Sequence, residues 1–183
     1  MPVKPRCWVG WREWLALPEL GISAIKAKID TGARNSALHA FNIKLFTEHG
    51  QQRVRFVIHP LQKRKDKKLV CHADVLGERW VSDSSGHREH RLVIRTPVRM
   101  GDQTWPIEIT LTNRDAMTFR MLLGRSALHN RLLIDPDGSY LASKPPGKRH
   151  AGKVKGDDEP HERRTFERRR GVRRIDGKVR RAK

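Results

Sequence analysis

The fold is decided by residues 22–33, ISAIKAKIDTGA. Apolar residues alternate with polar or small ones up to Ile29, as they do in a strand with one buried face. Gly32 then allows the chain to turn sharply or another group to approach the backbone closely. A carboxylate on such a turn is poorly suited to core packing, so Asp30 is the first candidate for a catalytic residue, and the Thr31 hydroxyl is available to brace the turn.

A second stretch, far downstream, makes the first one a more specific signal. Asp, Thr and Gly are ordinary turn residues, so Asp-Thr-Gly alone is a weak signal. Residues 121–128, MLLGRSAL, predict an apolar strand that ends in Gly-Arg and runs into a short helix. This order, Asp-Thr-Gly-Ala followed by two apolar residues and Gly-Arg, resembles the retropepsin-type aspartic peptidases, in which the second strand packs beneath the catalytic turn.

Longer segments extend this resemblance to most of the chain. They are residues 9–14 (VGWREW), 17–21 (LPELG), 27–34 (AKIDTGAR) and 111–114 (LTNR). Together they are similar to the bacterial family labelled ATP-dependent zinc proteases. Its members are small retropepsin-like proteins related to the glutamate-trimming partner of ribosomal-protein-modifying ATP-grasp ligases. The resemblance covers roughly residues 5–142.

The resemblance implies a fold and a set of site residues. The fold is mostly β, a closed retropepsin-like (acid protease) barrel with a flap hairpin and one short C-terminal helix. The catalytic turn is expected to comprise Asp30, Thr31 and Gly32. Substrate contacts are expected from Ala33, Arg34, Ser84, Ser85, Gly86 and Arg125.

Arg34 is a departure from the viral enzymes, which carry an acidic residue at this place that pairs with the arginine of Gly-Arg. Arg34 and Arg125 cannot pair with each other in that way. Two alternatives stay open for Arg125, which either faces acidic peptide or finds another carboxylate such as Asp135.

The carboxylate count bears on the mechanism. An aspartic peptidase needs two facing carboxylates that share a proton, one to activate water and one to polarise the scissile carbonyl. This chain has one Asp-Thr-Gly. The resemblance therefore implies a homodimer in which each subunit supplies Asp30. Asp83 and Asp115 are the candidates if the second carboxylate comes from within the chain.

The segments between the two signature stretches predict further strands. Residues 42–58 predict a hairpin that turns at His49-Gly50, and residues 69–76 and 105–112 predict single strands. Residues 79–94 predict a hairpin with a polar tip, which is either an ordinary surface hairpin or, from its place in the chain, the flap that closes over bound peptide. Trp8, Trp11 and Trp14 favour core packing over a stacking platform for bases.

Metal and nucleotide sites are not indicated. His87-Arg88-Glu89-His90 is neither H-E-x-x-H nor H-x-x-E-H, and its side chains would alternate between the two faces of a strand. No G-x-x-x-x-G-K-[ST] loop is present, so any ATP requirement would belong to a partner ligase. We expect no cofactor and no metal ligands.

Composition limits the setting of the protein. The 183 residues carry 39 Lys and Arg against 20 Asp and Glu, a net charge of +19, which attracts polyanions such as nucleic acid, acidic peptides or ribosomes. The two cysteines, Cys7 and Cys71, suit neither a disulfide framework nor a thiolate metal site. No apolar run reaches the roughly 20 residues that span a bilayer, and no signal pattern opens the chain. These features predict a cytoplasmic protein with no membrane contact.

The composition changes at residue 143. Residues 143–183 hold 16 Lys and Arg against 6 Asp and Glu, a net charge of +10, and few apolar residues. We therefore predict a peptidase domain over residues 1–142 and a disordered basic tail over residues 143–183, which would contact RNA or a ribosome.

Three functions compete at this point. The first is an aspartic-type peptidase that hydrolyses peptide or isopeptide bonds in an acidic substrate, such as glutamate extensions on a modified protein. The second is a retropepsin-like module without catalysis that binds RNA or ribosomes through its basic surface. The third is the zinc-dependent protease that the family label names.

Overall fold

The computed structural model describes residues 6–61, 67–82, 86–113 and 118–143. Within these ranges the strands are β1 (Cys7–Gly10), β2 (Arg12–Leu17), β3 (Ile22–Asp30), β4 (Ser36–His39), β5 (Phe41–Glu48), β6 (Gln51–Ile58), β7 (Leu69–Ser82), β8 (Arg88–Met100), β9 (Gln103–Thr112), β10 (Met121–Gly124) and β11 (Leu132–Asp135). A 3-10 turn spans Pro18–Leu20 and a single-turn helix, α1, spans Arg125–Leu128. No helix in the described ranges is both long and apolar enough to cross a membrane.

Six strands form a closed ring in the order β2, β3, β10, β4, β9, β8. The ring closes where β8 returns to β2, with Ala16 opposite Arg99. Most neighbours are antiparallel, but β10 runs parallel to β3 and β4 runs parallel to β9. The predicted closed barrel, mostly β with one short helix, is confirmed.

The sheet continues outward from β8 through β7, β6 and β5. The hairpin predicted for residues 42–58 is confirmed as β5 and β6, which turn at His49 and Gly50. β7 and β8 pair from Val75 to Ser82 and form the hairpin at the predicted place of the flap. Its tip residues Asp83, Ser84 and Ser85 lie outside the described residues.

The core fills the ring and the space under its outward extension. The inward positions of β3, β4, β9 and β10 supply branched side chains, because one face of each strand is covered. Fully enclosed members include Ile25, Leu38, Ile109, Met121 and Leu123. This packing makes β3 and β10 rigid up to the point where both strands end.

A buried carboxylate holds the segment that follows β11. Glu13 is fully buried. Its Oε1 accepts hydrogen bonds from the backbone N–H groups of Gly10 (2.8 Å), Leu141 (2.8 Å) and Ala142 (3.3 Å), and its Oε2 accepts one from the Ser143 hydroxyl (2.8 Å). A buried charge is tolerated when several donors surround it. Glu13 therefore ties residues 141–143 to β2.

One of the three tryptophans near the N-terminus departs from the core packing predicted for them. Trp14 lies in β2 and is partly buried, stacked on Tyr140 at 6.3 Å, and Trp11 meets Phe119 edge-on. Trp8, in contrast, is 59% exposed, so the prediction is wrong for this residue. Along a strand, successive side chains point to opposite faces. The helix-like spacing of Trp11 and Trp14 concealed this alternation.

Candidate active site

Asp30 is the last residue of β3, and its carboxylate caps the turn that follows. Oδ1 accepts hydrogen bonds from the backbone N–H groups of Gly32 (3.1 Å) and Ala33 (3.2 Å). Oδ2 lies 3.6 Å from the ammonium group of Lys28, two residues earlier on the same strand. The side chain of Asp30 remains 23% exposed. A carboxylate that is held at one oxygen by its own turn and stays partly exposed is available for chemistry.

The end of β10 supports this turn from beside it. Gly124 lies opposite Asp30 in the parallel register of β10 and β3. Beyond it, the N–H of Arg125 donates to the Ala33 carbonyl at 2.8 Å and the N–H of Ser126 donates to the Arg34 carbonyl at 3.0 Å. The backbone after Asp30 is therefore fixed by the start of α1.

Gly124 is required because the backbone passes too close for a side chain. A Cβ built at this position would lie 2.5 Å from the carbonyl carbon and oxygen of Asn35 and 3.0 Å from the Arg34 oxygen. The Gly124 N–H also donates to the buried Ser36 hydroxyl at 3.2 Å. The signature glycine thus lets two backbone segments touch.

Arg125 has a contact that the sequence did not indicate. Its Nη1 donates to the carbonyls of Thr31 (2.7 Å) and Gly32 (2.9 Å). Both alternatives left open for Arg125 placed its guanidinium on a carboxylate, either of substrate or of Asp135. Here the guanidinium binds the backbone of the Asp-Thr-Gly turn, which makes Arg125 a positioning residue.

Replacing Arg125 with Met is expected to lower kcat of any hydrolysis by about 10- to 100-fold, because misplacement of a catalytic group by an ångström costs roughly this much. The free energy of unfolding should change by about 1 kcal/mol or less, since water can replace the guanidinium at these exposed carbonyls. Turnover and chemical denaturation of Arg125→Met measure the two effects. Arg95→Met is the control, because Arg95 is an exposed arginine on β8. Equal turnover in both would contradict the positioning role.

A cavity of about 560 Å³ opens over Asp30, between its turn and the β7–β8 hairpin. The residues that line it are Asp30, Gly32, Ala33, Arg34, Asn35, Ala37, Trp80, Val81, Ser82, Arg91, Thr110 and Leu122. The hairpin is tied to this turn region through Arg79, which donates to the Asn35 side-chain oxygen at 2.8 Å and to Glu108 at 2.9 Å. A peptide in the cavity would therefore lie between Asp30 and the predicted flap.

The predicted site residues differ in where the structure places them. Asp30, Gly32, Ala33 and Arg34 all line the cavity, whereas Thr31 is exposed on the same turn. Gly86 is described, with a φ of 82°, but does not line the cavity. Ser84 and Ser85 lie outside the described residues, so their predicted substrate contacts remain predictions.

Sequence reasoning missed several lining residues, chiefly Trp80, Arg91 and Thr110. Arg91 had a usable signal: it alternates in step with Val93 along β8, so the pattern places it on an inward face. An arginine at an inward position of a strand is uncommon enough to suggest a buried polar site.

Asp30 is the only acidic residue among the described residues that line the cavity. The two alternatives within the chain, Asp83 and Asp115, both lie outside the described ranges. A two-carboxylate mechanism at this cavity therefore needs an acidic group from another source.

Other reactive side chains do not assemble near Asp30. In the ranges that the structure describes, no three His, Cys, Asp or Glu side chains come together in a way that could hold a metal ion. Glu89 contacts Arg91, while His90 contacts Glu78 and Trp80 on the opposite face, as the alternation of a strand requires. Burial raises the pKa of the Cys71 thiol to about 11, so this cysteine stays protonated and is a poor nucleophile.

Comparison with known proteins shows a family that this chain matches. Residues 8–145 match the family described as RimB-like, with the description retropepsin-like aspartic endopeptidase RimB. The fold also resembles a crystal structure of Lpg0085, a protein of unknown function from Legionella pneumophila subsp. pneumophila str. Philadelphia 1. The TM-score is 0.64 at 25% identity, and the match covers 76% of this chain and 100% of the other.

Several curated relatives carry the name probable alpha-L-glutamate ligase. The chain is 49% identical over 128 residues to the protein of Desulfotalea psychrophila, a match covering 70% of this chain and 28% of the relative. For Parasynechococcus marenigrum the identity is 49% over 132 residues, covering 72% and 28%. For Shewanella pealeana it is 45% over 132 residues, covering 72% and 29%. The chain therefore spans a little over a quarter of the length of these relatives.

Proposed function

Because this chain belongs to the RimB-like family of retropepsin-like aspartic endopeptidases, we propose that it hydrolyses peptide or isopeptide bonds with a pair of aspartates, Asp30 of each subunit in a homodimer. The catalytic turn would comprise Asp30, Thr31 and Gly32. The first subunit's Asp30 and the second subunit's Asp30 would meet across a two-fold axis.

One observation carries the proposal. The Asp30 carboxylate stands at the end of a rigid strand, is oriented by the N–H groups of its own turn, and lines an open cavity in which the described residues offer no second carboxylate. Structural aspartates that cap turns are common, but they do not need a neighbouring strand with an obligatory glycine and an arginine that binds the turn carbonyls. That added support suits a group whose position matters.

The chemistry would follow from the shared proton. The ionised carboxylate removes a proton from water, and the resulting hydroxide adds to the scissile carbonyl carbon. The protonated partner donates its proton to the carbonyl oxygen, so the tetrahedral intermediate forms without separated charge. Collapse of the intermediate breaks the C–N bond: the leaving nitrogen takes the proton that came from water, and one hydroxyl of the intermediate returns its proton to the partner carboxylate, which restores the pair.

We propose an acidic substrate, in particular a glutamate extension on a modified protein. The relatives that contain a region similar to this chain are named probable alpha-L-glutamate ligases. A peptidase beside such a ligase would shorten what the ligase extends, so a glutamate ligase, of the ATP-grasp kind, is the proposed partner. Two cations, Arg34 and Arg91, line the cavity and would attract an acidic chain.

Because Cys7 and Cys71 form no disulfide, we propose a cytoplasmic setting.

Dilution provides the test of the dimer. Specific activity on a glutamate-tailed peptide is expected to fall as the protein is diluted below the dimer dissociation constant, because a single subunit holds only half of the site. The pH profile of kcat/KM should be bell-shaped, since activity needs one proton on the pair. Enzyme assays over a concentration series, with sedimentation at the same concentrations, measure both.

A monomer with undiminished specific activity would contradict the proposal. A chelator series separates it from the zinc-dependent alternative: activity lost with chelator and restored by zinc would replace the aspartate mechanism with a metal-dependent one. A protein that binds RNA through its net charge of +19 but cleaves no glutamate-tailed peptide would favour the non-catalytic module.

A further inference from the structure

Arg91 is a buried cation in the wall of the Asp30 cavity. Its side chain is 6% exposed, and it lines the cavity together with Val81, which lies on the facing strand of the hairpin. Burying a guanidinium in a protein is unfavourable unless partners compensate for the lost water. A guanidinium at this position therefore needs partners that offset the cost.

A carboxylate fixes the orientation of Arg91 from one side. Arg91 Nε donates to Glu89 Oε2 at 2.7 Å. The same Glu89 oxygen accepts a hydrogen bond from the hydroxyl of the buried Thr112 at 3.3 Å. This contact uses only the Nε edge of the guanidinium. The two Nη groups form the fork that binds a planar carboxylate through two parallel hydrogen bonds.

The residue opposite Arg91 is another arginine. Arg79 on β7 faces Arg91 directly in the register of the hairpin, where like charges destabilise a sheet. The Nη atoms of Arg79 bond Asn35 and Glu108, so Arg79 serves to tie the hairpin to the loop after Asp30. Each of the two arginines contacts a carboxylate, Arg79 that of Glu108 and Arg91 that of Glu89, so the like charges are tolerated side by side.

The charges of the residues that line the cavity also favour an acidic ligand. Among the described lining residues, Arg34 and Arg91 are cationic and Asp30 is the one carboxylate. Arg34 is exposed and follows the turn, whereas Arg91 is buried, so its charge is less screened by water. A carboxylate that enters the cavity meets a fixed donor at Arg91.

We propose that Arg91 is the residue that gives the site its preference for acidic over neutral substrates, by binding the side-chain carboxylate of a substrate glutamate. This rests on the proposed function, since it names the residue that reads the substrate of that site. Glutamine, with the same shape, offers one acceptor and an N–H₂ group that would face the Nη donors. Discrimination should therefore be strong at this one substrate position.

The experiment compares two matched peptides, one with glutamate and one with glutamine at each position around the scissile bond. Wild type is expected to favour glutamate in kcat/KM, and Arg91→Met should reduce that preference by about 10- to 100-fold, the usual range for a charged hydrogen-bond pair. Activity on the glutamine peptide should fall by a smaller factor, because that side chain does not carry the charge that Arg91 binds. Arg95→Met removes the same charge from an exposed position of β8, so it controls for the net charge of the protein.

Arg91→Met leaves Glu89 without its cationic partner, so a second variant guards against misfolding. Glu89→Gln combined with Arg91→Met removes both charges together and should keep the hairpin folded, with the same loss of glutamate preference. If the preference for glutamate is unchanged in both variants while hydrolysis proceeds, the assignment of Arg91 is overturned and the peptidase function stands.

A binding measurement keeps the two claims separate. Fluorescence anisotropy with the same peptides reports affinity for the full chain whether or not it is hydrolysed. If no peptide is cleaved but glutamate binding exceeds glutamine binding and the ratio falls about tenfold in Arg91→Met, the inference holds while the proposed function fails. An affinity ratio that Arg95→Met lowers as much as Arg91→Met would overturn the inference, because long-range charge would then account for it.

Discussion

Replacing Asp30 with Asn is expected to lower kcat/KM on a glutamate-tailed peptide by about 1,000-fold or more, because it removes both the base and the shared proton of the pair. The change is nearly isosteric. The amide oxygen of Asn can still accept hydrogen bonds from Gly32 and Ala33, which now hold Oδ1 of Asp30. Stability should therefore be almost unaffected, and steady-state kinetics with thermal unfolding measure the two effects separately.

Mixing wild type with this variant tests whether two copies of Asp30 act together. In a fourfold excess of Asp30→Asn subunits, random exchange leaves only about one-fifth of wild-type subunits with a wild-type partner, so activity per wild-type subunit should fall to about one-fifth. Asp102→Asn makes the same chemical change in an exposed turn between β8 and β9 and should not suppress activity.

Either of two results would end the proposal that two copies of Asp30 form the catalytic pair. The first is an Asp30→Asn protein that cleaves the peptide at the wild-type rate. The second is a mixture in which activity tracks the amount of wild-type protein alone while sedimentation shows exchanged dimers. The second result would move the search for the other carboxylate to Asp83 and Asp115.

Replacing Gly124 with Ala is expected to destabilise the fold by about 3 kcal/mol and to lower kcat by at least about 100-fold. The added methyl group would lie 2.5 Å from the backbone of Asn35, and backbone cannot move aside as a flexible side chain can. Either β10 or the loop after Asp30 must shift, and Gly124 lies opposite Asp30 in the register. Urea denaturation and turnover at saturating peptide measure both losses.

Gly21→Ala is the matched control for this prediction. Gly21 has a φ of 69° at the end of the 3-10 turn, and a Cβ there would meet no atom within 4 Å. The substitution should cost about 1 kcal/mol through backbone strain alone and leave turnover unchanged. If the two variants lose activity in proportion to their lost stability, Gly124 has no particular link to the Asp-Thr-Gly turn.

The fold could be predicted from the sequence because its signals are local and agree with one another. Alternation in residues 22–29, the turn at His49 and Gly50, and the apolar run before Gly124 each specify an element, and the order of the two signature stretches specifies how they meet. The tryptophans show the limit of local signals. Three aromatic residues within seven positions fit a helix face or a strand end equally well, and the exposure of Trp8 depends on its partner β11, far along the chain.

Only part of the candidate site could be predicted from the sequence. The turn itself carries Asp30 to Arg34 in one run, so these residues were found together. Arg91 belongs to the cavity because a hairpin folds across it, and that depends on the register of β7 against β8, which composition does not determine. Arg125 was found but its partner was not, since arginine binds carbonyl oxygen as readily as carboxylate and the two cannot be told apart by residue type.

The hydrogen bonds that Glu13 accepts from the segment after β11 have a consequence for how the chain folds. Glu13 must wait for Leu141, Ala142 and Ser143, which follow it by 128 to 130 positions. During synthesis the carboxylate is made early, and these three donors emerge from the ribosome after every strand of the ring. Contacts of such long sequence separation slow folding, because a large loop must close before they form. The barrel should therefore commit to its native state late, when the segment after β11 arrives.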